Sequence, residues 1–156
     1  MIILGIDPGT ATTGWGVVEK RREKVDCLGV GIISTPAKTA LPKRLATIFQ
    51  DIQELLTTFT PDAMAVEELF FNTNAKTALS VGHARGVVLL AAQKVNIPIF
   101  SYTPLQVKMA ISGYGRAEKL QIQKLVAQTL NLEEIPKPDD AADALAVALT
   151  HGFSTR

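Results

Sequence analysis

The chain has one cysteine, Cys27, in 156 residues. No disulfide can form within it, and this usage fits a reducing compartment. CxxC and HxxxH spacings are both absent, which leaves zinc without its usual ligand patterns. Long apolar runs are lacking too: stretches such as GVVLLAA at 86–92 fall far short of the ~20 residues that a membrane span needs. The opening MIILG carries no basic residues and runs straight into Asp7, which argues against a signal peptide. These absences predict a soluble, cytoplasmic protein. With 47% hydrophobic and 20% charged residues, the expectation is one compact domain over 1–156, free of internal repeats and low-complexity linkers.

The net charge of +1 hides an uneven distribution. From Leu69 to Leu132 there are seven basic residues (Lys76, Arg85, Lys94, Lys108, Arg116, Lys119, Lys124) and one acid, Glu118, so this segment carries +6. The remainder carries −5. The middle of the chain is therefore suited to meet something polyanionic.

Residues 2–7 (IILGID) form a short apolar, β-branched run ending in Asp-Pro-Gly, the pattern of a buried strand followed by a turn. TGWGVVEK and KVDCLGVGIIST read as two further strands joined at the charged EKRREK cluster, which implies an antiparallel meander. Apolar residues from Leu41 to Phe59 recur at spacings of one, three and four, predicting an amphipathic helix with Pro42 in its first turn. DAMAVEE reads as a fourth strand and IPIFSY as a fifth. Between them a helix is expected from Asn74 to about Val95, rich in alanine and glycine and so able to pack closely against another helix in this chain or in a second subunit. Helices over TPLQVKMAI and EKLQIQKLVAQTL flank the SGYGRA loop, and a last helix starts near Pro138. The order βββαβαβααα predicts an α/β domain with a five-stranded mixed sheet flanked by helices, its first three strands antiparallel.

Acids stand at telling places in this pattern. Asp7 ends the first strand, where open α/β sheets place their ligand chemistry, although an Asp before Pro-Gly also serves as a turn former. Glu67 and Glu68 end the fourth strand, and alternation allows only one of them to share a face with a given neighbour. The last helix carries Asp139, Asp140 and Asp143. Spacings of three and four both place a pair on one face, so geometry leaves Asp139 and Asp140 open as alternatives. The helix dipole accounts for acids in the first turn, but Asp143 lies deeper, amid alanines and leucines, where an acid needs a partner. Four such acids make a hard-oxygen site suited to Mg²⁺ or Mn²⁺, and two ions ~4 Å apart there would suit phosphodiester hydrolysis.

Five blocks then point to a family. GIDPGTATTGWGVV, AVEELF, NAKTALSVGHARGVV, QVKMAISGYGRAEKLQIQ and DDAADALAVALTH, spread from residue 3 to 151, resemble in order the crossover junction endodeoxyribonuclease RuvC family. The resemblance implies a ribonuclease H-like fold and a Holliday-junction resolvase acting as a homodimer. It places the catalytic, metal-binding acids at Asp7, Glu67, Asp140 and Asp143, with Asp140 selected by the D-x-x-D spacing. It also implies two Mg²⁺ per site with Mn²⁺ able to substitute, base stacking by Phe70, and cleavage-supporting lysines at Lys108 and Lys119. DNA contacts are expected from Phe70, Lys76, Lys108, Arg116 and Lys119. A dimer interface is expected along the long helix at Gly82, His83 and Gly86, and the RuvA and RuvB branch-migration proteins are the expected partners. Arg85 matches a family position but takes no role from that alone.

The chain departs from the family pattern at Thr73, where a lysine is usual, and at His83, where glutamine is common. Members of the family use either His or an acid at the position of Asp140. Two other readings compete. IDPGTATTG resembles the phosphate loop of sugar kinases and actin-like ATPases, but those proteins need two such lobes and about twice this length. A related nuclease acting on RNA–DNA hybrid or other structured nucleic acid would use the same acids.

Overall fold

The computed structural model describes residues 1–68 and 75–155. Its strands are β1 (Ile2–Asp7), β2 (Thr12–Arg21), β3 (Lys24–Ser34), β4 (Ala63–Glu67) and β5 (Ile99–Tyr102). Its helices are α1 (Leu41–Phe59), α2 (Ala75–Lys94), α3 (Pro104–Ser112), α4 (Lys119–Thr129) and α5 (Asp139–Ser154). The order is the one that the apolar periodicities predict. The strands form one sheet in the order β3-β2-β1-β4-β5. The first three pair antiparallel, and β4 and β5 add in parallel beside β1.

Both faces of the sheet are covered, which explains why its central strands are apolar throughout. Leu4 and Ile6 of β1, with Met64 and Val66 of β4, pack against Ile48, Ile52 and Leu56 of α1 and Ala84 and Val88 of α2. Residues of the opposite parity, Ile3 and Ala65, meet Val107 of α3, Ile122 and Val126 of α4, and Leu145 and Leu149 of α5. The alanine-rich α5 lies close to the strands because they are stripped of side chains beneath it. A Cβ placed on Gly5 would meet the Ala144 carbonyl at 2.2 Å, and one on Gly16 would meet Leu145 Cδ2 at 2.6 Å.

Local chemistry sets the ends of the elements. Pro42 occupies the first turn of α1, and Thr60, in left-handed conformation, closes it by donating its N–H to Leu56 O at 3.0 Å. Thr103 and Gln106 form a reciprocal capping box on α3, and Gly113 at φ +70° ends that helix. No helix among the described residues is long and apolar enough to cross a membrane.

Candidate active site

Strand parity builds the first half of the site. Ile6 pairs with Val66 in parallel register, so Asp7 and Glu67, one residue further, end neighbouring strands side by side. Both share the parity of Gly5 and Ala65, so both point to the face occupied by α5. Glu68, of opposite parity, is exposed, and its N–H donates to Tyr102 O at 2.8 Å. The turn after Asp7 is pinned twice. Thr13 Oγ1 donates to Gly9 O at 2.6 Å, and Thr10 Oγ1 donates to Ser80 O on α2 at 2.7 Å.

The second half comes from α5. Pro138 precedes it, and Asp139 and Asp140 fill its first turn, where the helix dipole favours acids. Asp140 is half-buried over β2, and its charge is felt at Asp7 and at Asp143. Asp143 is half-buried between the buried Ala142 and Ala144 and lines a cavity of about 220 Å³ together with Glu67, Pro104, Val107, Lys108, Lys119, Ile122 and Ala146. Lys119 Nζ donates to Asp143 Oδ2 at 3.0 Å and lies 3.5 Å from Asp139 Oδ2.

So many carboxylates in a half-dry cavity resist ionisation. Burial pushes Asp7 up to about 9, with further contributions from the Glu67 charge, their shared hydrogen bond, Asp143 and Asp140. Burial also raises Glu67 and Asp143 above the usual carboxylate range, although Lys119 opposes both shifts. Partial burial alone would lower Lys119, but the hydrogen bond and charge of Asp143, together with Asp139, outweigh it and hold the ammonium above its ordinary value. Among the described residues no three acid, His or Cys side chains are drawn together as a ready cation cage. Hard oxygen donors that stay protonated for want of positive charge are what a divalent cation would displace protons from.

The structure thus brings together Asp7, Glu67, Asp140, Asp143, Lys108 and Lys119. Arg116, exposed in the α3–α4 loop, and Lys76, exposed in the first turn of α2, do not line the cavity. Phe70, the expected base-stacking residue, and Thr73 lie outside the described residues. Gly82 is half-buried, whereas His83 and Gly86 are exposed on α2. With Leu79 (65% exposed) and Leu90 (54%), His83 and Gly86 form a stripe at spacings of four, three and four that nothing in the described chain covers. Arg85 lies elsewhere, donating from Nη2 to Ser101 Oγ at 2.8 Å, and its buried Nε has no partner among the described residues.

Two features escape a reading of the sequence that follows charge alone. Gly14 carries the start of α5, a placement signalled only by the period-two pair Gly14 and Gly16 in a strand. Gln123, nearly buried, donates from Nε2 to Asp139 Oδ1 at 3.1 Å, and nothing local in the sequence marks it.

A family model described as crossover junction endodeoxyribonuclease RuvC matches residues 3–151. The chain is 56% identical to the crossover junction endodeoxyribonuclease RuvC of Alkaliphilus oremlandii, over 99% of this chain and 94% of that one. The solved structure of Thermus thermophilus RuvC in complex with Holliday junction substrate matches with a TM-score of 0.95 at 41% identity, covering 100% of this chain and 95% of that one. The yeast mitochondrial Holliday junction resolvase Ydc2 shares the fold, with a TM-score of 0.70 at 17% identity over 97% of this chain and 77% of that one. The chain belongs to the crossover junction endodeoxyribonuclease RuvC family.

Proposed function

We propose that this protein resolves four-way DNA junctions by paired, symmetric nicks, hydrolysing phosphodiesters with divalent metal held by Asp7, Glu67, Asp140 and Asp143. The observation that carries the reading is the side-by-side placement of Asp7 and Glu67 beneath α5, with burial and mutual repulsion pushing Asp7 up to about 9. Protons kept on acids in this way are a measure of how strongly the site favours added positive charge. All four donors are oxygens, which fits Mg²⁺, with Mn²⁺ as a substitute and room in chemistry for two ions. Bound there, such ions supply a nucleophilic water at neutral pH and stabilise the leaving oxygen.

The chain's own groups do the rest. Lys108 and Lys119 present positive charge at the mouth of the cavity, where they hold a phosphate against the acids. Lys119, already protonated, stands where it can neutralise or protonate a departing oxygen. Arg116 and Lys76 contribute phosphate contacts outside the cavity, and Phe70 contributes base stacking. The stripe of Leu79, His83, Gly86 and Leu90, flanked by Gly82, pairs α2 with its copy in a two-fold dimer. Two sites related by that axis match a junction that is itself two-fold symmetric. RuvA and RuvB are the partners that family membership suggests, and junction binding is supported by the relative solved with such a substrate.

The test is a cleavage assay in Mg²⁺ on a synthetic four-way junction, a matched linear duplex and an RNA–DNA hybrid. Paired symmetric nicks on the junction alone, lost in Asp143→Asn, are expected. Preferential cutting of the hybrid would move the activity to a ribonuclease and leave the metal chemistry in place.

A further inference from the structure

Lys119 occupies the first position of α4, the end at which a helix dipole disfavours a cation. No acid lies in the first turn of α4, and the side chain of Glu118, at the N-cap, makes no cap bond. The counter-charge comes from the neighbouring helix, where Asp143 and Asp139 approach Lys119 Nζ at 3.0 and 3.5 Å. Asp139 is held on its other side as well, since its Oδ1 accepts from Gln123 Nε2 at 3.1 Å. Gln123 is only 8% exposed and lies four residues after Lys119, on the same face of α4. One carboxylate is therefore gripped at both oxygens by one helix face, and the inner grip is a buried amide that needs a partner. Asp139 stands at the edge of the acid cluster: its charge is felt at Asp143, whereas the charges acting on Asp7 are those of Glu67, Asp143 and Asp140.

We infer that Asp139, braced by Gln123, is a positioning residue that holds the Lys119 ammonium at the mouth of the acid cavity once Asp143 is given over to metal. The inference rests on the metal-site reading above. An Asp143 carboxylate shared with a divalent cation loses most of its attraction for an ammonium, and the cation itself repels Lys119. Asp139 is then the acid beside Lys119 that remains to oppose that repulsion. The side chain of Asp139 is 65% exposed, so its replacement leaves the core intact and its effect is modest in size.

The experiment compares Asp139→Asn and Asp139→Glu with wild type, using Gln123→Met as an independent way to release the same carboxylate. Lysines labelled by reductive ¹³C-methylation are followed by NMR in metal-free and Ca²⁺-loaded protein, with the Lys119 signal assigned through Lys119→Arg. Asp139→Asn is expected to move that signal to the position of freely solvated lysines, most clearly with Ca²⁺ bound. Single-turnover cleavage in Mg²⁺ is expected to fall about five-fold, the scale of one exposed charge pair, while junction binding in EDTA is unchanged or tighter. Asp139→Glu restores both readouts, and Gln123→Met shows part of the loss. A Lys119 signal indifferent to Asp139→Asn, or an unchanged cleavage rate, overturns the inference. Asp143→Asn separates this from failure of the underlying reading: wild-type cleavage by that variant sinks the metal site itself, whereas an inactive Asp143→Asn beside a silent Asp139→Asn sinks only the positioning role.

Discussion

Gly14 of β2 and Asp140 of α5 are in backbone contact: a Cβ on Gly14 would stand 1.9 Å from the Asp140 carbonyl oxygen. The strand that hairpins away from Asp7 thus serves as the seat on which α5 begins. Because Gly14 pairs with Asp7 in the sheet, the same seat sets the spacing between Asp7 and the acids of α5.

Gly14→Ala should therefore cost about 3 kcal/mol and most of the activity, since the clash is with backbone that cannot rotate aside. Gly16→Ala, whose nearest obstacle is the Leu145 side chain, should cost about 1 kcal/mol. Thermal melts beside cleavage rates check the order, and equal effects would show that α5 is not seated where the close contact places it.

Asp7 predicts an unusual pH dependence. Its folded-state value of about 9 lies above its ordinary 3.8, so between these limits the folded protein binds more protons than the unfolded chain. The favourable contribution is complete below pH ~4 and is lost progressively as pH rises toward ~9. Metal-free wild type should accordingly melt lower at pH 8 than at pH 6, and Asp7→Asn should flatten the slope and raise the pH 8 midpoint by about 5 °C. Mg²⁺ should raise the wild-type midpoint and leave that of Asp7→Asn nearly unmoved. A midpoint of the variant below wild type at pH 8 without metal would contradict the strained-acid account.

Asp143→Asn should reduce cleavage by at least about 100-fold while junction affinity in Ca²⁺ stays within about three-fold, because the proposed role of this acid is to hold metal at the reacting phosphate and not to bind the arms. Gel shift and single-turnover kinetics on one substrate separate the two effects.

Lys108 lines the cavity, and among the described residues no acid forms a salt bridge with it, so its charge is available to phosphate. Lys108→Ala should lower the slope of log affinity against log salt by about one and weaken all junction sequences alike. Sequence-selective weakening would assign Lys108 to base contacts instead.

On α2, a Cβ at Gly86 meets nothing within 4 Å, so Gly86→Arg leaves the protomer's own packing untouched. Sedimentation velocity should show a 16.8 kDa monomer for this variant and a dimer for wild type. A dimeric Gly86→Arg would move the interface off the stripe of Leu79, His83 and Leu90.

Much of this was legible in the chain because it depends on short-range order. Alternation in IILGID and DAMAVEE and the 3.6-residue spacing of Leu41–Phe59 are local properties, and the ten elements fall where those periods place them. The long helix, expected from Asn74 to about Val95, is described over Ala75–Lys94; Val95 falls in the turn that follows it, and Asn74 lies outside the described residues. The acids were visible only in part: Asp143, amid alanines and leucines, has little other use there, whereas Asp7 before Pro-Gly and Glu67 at a strand end also have ordinary local uses, and the set of four came from the family resemblance.

Local pattern alone determined the element order, the mixed sheet with an antiparallel start, and a short list of acids that includes the four of the site. Tertiary structure decided which of them meet. Periodicity is blind to which strand lies beside which; the parallel pairing of β1 with β4 brings Asp7 against Glu67, and burial first, then the Glu67 charge, raises Asp7 to about 9. Helical spacing allows either Asp139 or Asp140 a place in the cluster. Packing separates them, turning Asp139 to Lys119 and Gln123 and leaving Asp140 over Gly14. Each of these outcomes depends on contacts between residues far apart in the chain, and a charge or a hydrogen bond acts across space, whatever the sequence distance between its partners.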